Sequence, residues 1–525
     1  MTPHKSTHSG LARSAGVIGL FTAVSRVLGF ARDVLMASWF GTGIAAEAFV
    51  VSFKLPNLFR DLVGEGAMNA AIVPVLSETR TLKSEEEFKR LVGALGIWIT
   101  GALTLITAAG VLFAPAVVSL VAPGFSADPV KFEITVSLTR LIFPFIFLIG
   151  FSAYLMGVLN TLGNFGSSAL GPAAQNLMMI AALVFAVPVW GVEGLAWGVL
   201  IGGLVQCLLQ VRAFLKVGAR WTRETLWHPG VQKVLTLLGP RVFGTAVYQV
   251  SVFADTIIAS FTTIVGDGGQ SALYYSSRLF QLPLAIFAVS LSQASLPALS
   301  GHAARKDLAA FGASLEFTVK NAVFTALPAA VGLAVFSTEI IEILFKRGAF
   351  DDASVRVTSD ALFYFSLGLV SCAAIKVLVS AFYALQDTRT PVKTAAMCLG
   401  INVVLSTSLM WTLKIGGLAL ATSLSATVNA CVLYAILARR LGPAHKARPW
   451  GSILKSSAAA AVMGALCWVF LKPWVRVSIE SGRGHEALFR LLVSVAAGVC
   501  LYWAAAAVFR SEEARSVRRF FVRAR

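Results

Sequence analysis

About fourteen apolar runs of bilayer-crossing length follow one another along this chain, near residues 14–40, 44–77, 88–121, 133–162, 167–190, 192–217, 236–265, 270–300, 311–338, 354–385, 391–413, 416–439, 450–471 and 486–509. A hydrocarbon core of about 30 Å accepts roughly 20 apolar residues wound at about 1.5 Å each, so every run is a candidate span. Within lipid the backbone must satisfy its own N–H and C=O groups, which only helices and closed barrels achieve. Long alternating strands of the barrel kind are absent from the sequence. The fold class that follows is an all-α polytopic membrane protein. Composition agrees: 57% of the 525 residues are hydrophobic, 13% are charged, and mean hydropathy is +0.77. The first run is too long for a cleavable signal, contains Arg26 and Arg32, and is followed by no small-residue cleavage motif. It is expected to remain as the first helix.

Lys and Arg collect on alternate turns. Arg80, Lys83, Lys89 and Arg90 follow the second run, and Arg212, Lys216, Arg220, Arg223 and Lys233 follow the sixth. Arg439, Arg440, Lys446, Arg448 and Lys455 follow the twelfth, and a basic tail runs from Arg510 to Arg525. The opposite loops hold fewer, chiefly Lys131, Lys346, Arg347, Arg356, Lys414, Lys472, Arg476 and Arg483. The positive-inside rule therefore puts both termini of a multi-pass chain in the cytoplasm. It also accounts for the net charge of +18 without nucleic acid, since basic loops hold topology and touch anionic phospholipids.

The six cysteines lie singly in apolar runs, and the six histidines fall in the tail or in loops. Neither set has metal-ligand spacing, so no metal site is expected. No GxxxxGK[ST] phosphate loop and no insert of nucleotide-binding size is present, which argues against transport driven by the chain's own ATP hydrolysis. The longer loops hold Glu78 and Glu85–Glu87 in 78–90 and Glu224 and His228 in 218–233, without metal-ligand spacing, and the chain is read as a non-enzyme.

One region departs from the apolar rule. Between Ser25 and Glu65 the chain carries Arg26, Arg32, Asp33, Glu47, Lys54, Arg60, Asp61 and Glu65. An Arg, Lys or Asp at the centre of a spanning helix costs roughly 2.5–3.5 kcal/mol by insertion scales, so this density points to an internal polar cavity. A step of seven residues is about two helical turns. Arg26 and Asp33 thus share one face of the first helix, and Glu47, Lys54 and Asp61 share one face of the second. Each stripe alternates in sign, a placement that also suits a buried ion-pair network fixing helix packing. Arg32 and Arg60 lie about a hundred degrees off the stripes and leave a positive surplus suited to an anion. The arginine fork binds phosphate oxygens bidentately and stays charged when desolvated, which makes a phosphate-bearing substrate the natural expectation. Gly29, Pro56, Gly64 and Gly66 interrupt the same helices, as hinges near transport sites do.

The chain also repeats itself weakly. Setting AFVVSFKLPNLF (48–59) over ALYYSSRLFQLP (272–283) pairs Lys54 with Arg278, and FPFIFLIGFSAYLMGVLNTLGN (143–164) lies beside FYFSLGLVSCAAIKVLVSAFYALQDT (363–388). Both matches are offset by six helices. Two six-helix lobes, 1–217 and 218–440, with a substrate site between them are expected, and 441–525 adds two further helices and the basic tail.

The stretches SRVLGFARD (25–33), AFVVSFKLPNLFRDLVGEGA (48–67), APGF (122–125) and FYALQDTRTPVK (382–393) closely resemble the MurJ/MviN lipid II flippases of the multidrug/oligosaccharidyl-lipid/polysaccharide exporter superfamily. The resemblance covers nearly the whole chain. It implies transport of lipid II, the undecaprenyl-diphosphate-linked peptidoglycan precursor, from the inner to the outer leaflet of the bacterial cytoplasmic membrane, with no bond broken. It places functional cations at Arg26, Arg32, Arg60 and Arg278 and an acidic residue at Glu47. Where some relatives carry an acidic residue just after the Arg278 position, this chain has Gln281, which puts any carboxylate role there in doubt.

Rocking of one lobe against the other would carry the diphosphate across while the polyprenyl tail stays in lipid. Lys54 joins the cations as a substrate-binding candidate, and Asp33, Glu47, Asp61 and Glu65 are candidates for gating ion pairs. Asp255 lies inside the seventh run, and Asn402, Ser406 and Thr422 offer oxygens in the eleventh and twelfth, the donor type that a sodium ion takes. Sodium, protons or membrane potential are the energy sources to be considered, with helix–helix hydrogen bonding and a simple ion pair for Asp255 as the plainer roles. Peptidoglycan synthesis proteins are possible partners. A drug/cation antiporter and a non-transporting membrane scaffold are the alternatives, the first disfavoured by the cationic surplus.

Overall fold

The computed structural model describes residues 4–61, 67–164, 166–217, 227–442 and 450–514, and no strand occurs among them. The chain forms two compact units, Met1–Phe261 and Thr262–Arg525.

The first unit runs through α1 (His4–Phe40), α2 (Ile44–Phe59), α3 (Ala67–Leu82), α4 (Glu85–Leu112), α5 (Ala114–Val121), α6 (Pro129–Ile142), α7 (Phe145–Thr161), α8 (Gly166–Phe185), α9 (Val187–Lys216) and α10 (Pro229–Ala259). Its core joins Ile72, Leu76, Leu91, Leu95, Tyr154, Val158, Phe214 and Val231, from α3, α4, α7, α9 and α10. Small residues set the tightest crossing. Gly194, Gly198 and Gly202 recur every fourth residue, and added Cβ atoms there would come within 2.7 Å of Ala186, 2.4 Å of the Ala182 side chain and 3.1 Å of Gln175. This is the small-xxx-small pattern that lets membrane helices approach backbone to backbone.

The second unit contains α11 (Thr262–Val265), α12 (Gly269–Pro283), α13 (Ser290–Ala304), α14 (Leu308–Val335), α15 (Ser337–Phe345), α16 (Asp352–Leu367), α17 (Leu369–Ala384), α18 (Arg389–Leu441), α19 (Trp450–Leu466), α20 (Lys472–Glu480) and α21 (Gly484–Val508). A π-helical turn, Leu284–Val289, links α12 to α13. One core lies among α13, α14, α17 and α18 around Phe311, Leu315, Phe382 and Leu433, and another packs α19–α21 on α14 around Phe324, Met463 and Tyr502. α18 is a hairpin of two helices. Lys414 breaks it at φ 50°, and Asn402 Nδ2 donates to Thr422 Oγ1 at 3.3 Å across the break.

Eight helical stretches among the described residues are long and apolar enough to cross a membrane, and α16 with α17, bent by 47°, makes a ninth. Since α18 is two spans, the expected runs without such a stretch among the described residues are the first, second, fifth and seventh. The fifth and seventh are represented by the shorter apolar stretches Leu170–Phe185 and Gln249–Ala259, and the first and second, now beginning as α1 and α2, carry Arg26, Arg32, Asp33, Glu47 and Lys54. The protein is thus all-α and polytopic, with about fourteen spans as expected from the sequence. The repeat-based reading began the second lobe at residue 218, whereas packing groups α10 with α3, α4 and α5 of the first unit.

Candidate functional site

α1 carries the first part of the site and α8 holds it in place. Arg32 and Asp33 are both buried. The guanidinium donates to Asp33 Oδ1 from Nη2 at 2.6 Å and from Nε at 3.0 Å. Nη1 donates to Asn176 Oδ1 at 3.0 Å and approaches Met179 Sδ at 3.7 Å, both on α8. Asn176 in turn donates from Nδ2 to the Ser25 carbonyl at 3.0 Å, so one amide holds two turns of α1. Asp33 is therefore neutralised by its neighbour. The stripe geometry had matched it with Arg26, about 10 Å away along the axis, a span that adjacent, flexible Arg32 makes unnecessary. Arg26 itself is exposed.

α2 shows a second departure from the stripes. Glu47 is buried and forms an ion pair with Lys131 on α6, not with Lys54. Lys131, counted from sequence as a loop charge, is likewise buried, because Pro129 starts α6 and carries Lys131 into the packed interior. Lys54, one face-repeat further along, interacts electrostatically with Asp255 of α10, whose Oδ1 is buried without a hydrogen-bond partner among the described residues. Arg60 reaches Asp61 at 3.5 Å, and both side chains are partly open, at 31% and 44% exposure. α2 contains Pro56 between these levels. Glu65, Gly64 and Gly66 lie outside the described residues.

In the second unit Arg278, on α12, is half-buried over the ring of Tyr274, 4.8 Å from its centre, with Nη2 donating to the Tyr274 hydroxyl at 3.2 Å. Asn402, Ser406 and Thr422 come together on the α18 hairpin. Asn402 Nδ2 reaches Thr422 Oγ1 and, at 3.5 Å, Ser425 Oγ, while Asn402 Oδ1 and Ser406 Oγ are buried without hydrogen-bond partners among the described residues. Asp255, grouped with them by sequence, belongs to the first unit.

The predicted charges thus differ in burial: Arg32, Asp33 and Glu47 form buried pairs within the first unit, Arg60 and Arg278 are half-buried beside Asp61 and Tyr274, and Arg26 is exposed. Sequence reasoning missed Asn176 and the partnership of Lys131. The available signal was the adjacent amides Gln175 and Asn176 in an otherwise apolar run and a lysine in the first turn of a proline-started helix. The motif FYALQDTRTPVK has a structural role: Asp387 accepts from the Arg389 and Thr390 backbone N–H groups, both at 3.0 Å, and pairs with Arg440 at 2.6 Å.

A helical membrane fold with cations on interrupted helices defines a polytopic transporter. Its fold is similar to that of an inward-facing multidrug resistance MATE family transporter of the MOP superfamily, with TM-score 0.68 and 14% identity over 82% of this chain and 99% of that one. The model of the lipid II flippase MurJ family matches residues 36–479. A probable lipid II flippase MurJ from Vibrio cholerae serotype O1 is 36% identical over 476 residues, which cover 87% of this chain and 89% of the relative. A lipid II flippase MurJ structure in an inward closed conformation is similar at TM-score 0.79 and 25% identity, over 94% of this chain and 98% of that one. The chain belongs to the lipid II flippase MurJ family.

Proposed function

We propose that this protein transfers lipid II from the inner to the outer leaflet of the bacterial cytoplasmic membrane by alternating access, in support of peptidoglycan synthesis. The observation that carries the reading is family membership along residues 36–479. The guanidinium groups of exposed Arg26 and half-buried Arg60 and Arg278 accord with it, since a diphosphate carries the charge they attract. Arg32 supports that set by holding α1 to α8. No covalent step is required and no residue is assigned a catalytic role.

Both termini are placed in the cytoplasm by the basic turns. The energy source is assigned to sodium, protons or the membrane potential. The oxygens of Asn402 and Ser406, without hydrogen-bond partners among the described residues, with Thr422 beside them, suit a hard monovalent cation; Asp255, in the first unit, is a separate intramembrane carboxylate. Each charge crossing the field adds about 2.3 kcal/mol per 100 mV.

The test is depletion in a host with no second flippase, with lipid II quantified separately in the two leaflets. Outer-leaflet lipid II is expected to fall while the inner pool accumulates. An unchanged outer pool would reject the assignment.

A further inference from the structure

Lys131 is among the largest fully buried side chains of the protein, at 1% exposure, and substrate capture gives it no task. Its ammonium is held by Glu47 of α2 and stands 4.7 Å from the ring centre of Phe125. Phe125 belongs to the 3-10 turn Pro123–Ala127, whose Gly124 N–H donates to Ser260 Oγ at 3.0 Å, just past the end of α10. The turn is pressed onto that end: a Cβ on Gly124 would lie 2.3 Å from the Ser260 carbonyl oxygen. A contiguous path therefore runs from Glu47 through Lys131, Phe125 and Gly124 to Ser260. On α2 it continues inward, where Ser52 Oγ donates to the Thr135 carbonyl at 3.0 Å and accepts from Thr139 Oγ1 at 3.1 Å.

Stability alone does not explain such a pair, because buried ion pairs replaced by apolar residues of similar volume often leave a protein as stable or more so. α2 and α10, the helices joined by this path, also carry Lys54 and Asp255. We propose that Lys131 is a positioning residue for transport: by fixing Glu47 and seating Phe125, it makes the near end of α2 and the end of α10 move as one, keeping Lys54 opposite Asp255. The proposal rests on the flippase reading.

The test compares Lys131→Ala, Lys131→Arg, the charge exchange Glu47→Lys with Lys131→Glu, and the apolar pair Glu47→Leu with Lys131→Met. The readouts are membrane abundance, lipid II binding, lipid II flipping in proteoliposomes, and thiol labelling of a Ser260→Cys probe in a background lacking the native cysteines. Lys131→Ala and the apolar pair are expected to bind lipid II normally but flip it about tenfold more slowly, within the range typical of coupling between sites, with a matching rise in Ser260→Cys labelling. Lys131→Arg and the charge exchange are expected to restore both flipping and protection. If Lys131→Ala fails to accumulate, the apolar pair, which leaves no uncompensated charge, decides the matter. Normal flipping by the apolar pair, or a charge exchange that accumulates yet behaves like Lys131→Ala, would overturn the proposal. Wild-type protein that flips no lipid II would instead refute the functional reading, and the labelling result would still decide the coupling.

Discussion

Replacing Arg32 by Ala separates two arginines that the sequence had treated alike. Arg32 and Asp33 have side-chain exposures of only 9% and 3%, and the guanidinium supplies Asp33 Oδ1 with hydrogen bonds of 2.6 Å and 3.0 Å and Asn176 with another of 3.0 Å. Truncation removes the cation that neutralises a buried carboxylate, and breaking a buried pair from one side costs about 3–5 kcal/mol. At roughly 2–4 °C per kcal/mol for a body of about 250 residues, the melting temperature should fall by about 6–20 °C. Arg26→Ala, at an exposed position, should stay within about 0.5 kcal/mol of wild type. Adding Asp33→Asn to Arg32→Ala removes the stranded charge and should recover most of the loss. The assay is thermal unfolding of detergent-solubilised protein followed by fluorescence-detected gel filtration, alongside complementation. An Arg32→Ala protein that melts with wild type, or a double variant no better than the single, would refute the reasoning.

Two further outcomes are expected. Gly124→Ala forces a Cβ to 2.3 Å from the Ser260 backbone carbonyl, which cannot swing aside as a side chain would, so a loss of about 1–3 kcal/mol should appear in the same melting assay. At Asp387, hydrogen bonds from the Thr390 hydroxyl and backbone N–H, helped by Arg440, hold the carboxyl down at about 2. A group depressed below its usual value of about 3.9 contributes fully above that pH and progressively less as pH falls toward the folded value. The melting gap between wild type and Asp387→Asn should therefore be constant near neutrality and close between about pH 4 and pH 2. A gap that does not change with pH would show that the Asp387 charge contributes nothing.

By itself the sequence determined the solvent of this protein, its helical class, its spans and the location of its charge, because a bilayer admits only long apolar helices and makes every buried charge conspicuous. The family was legible too, in motifs such as SRVLGFARD and KLPNLFR. What the sequence could not determine was which charge meets which. Helical periodicity ranks residues by face, and it therefore joined Arg26 to Asp33 and Glu47 to Lys54. Partnership depends on what the neighbouring helix brings to that face, and here tertiary packing decided. α8 delivered Asn176, α6 delivered Lys131, and α10 delivered Asp255 to Lys54 from about two hundred residues away. The density of charge between Ser25 and Glu65 thus resolves, among the described residues, into buried pairs that hold α1 and α2 in place, a half-buried Arg60 beside Asp61, and an exposed Arg26.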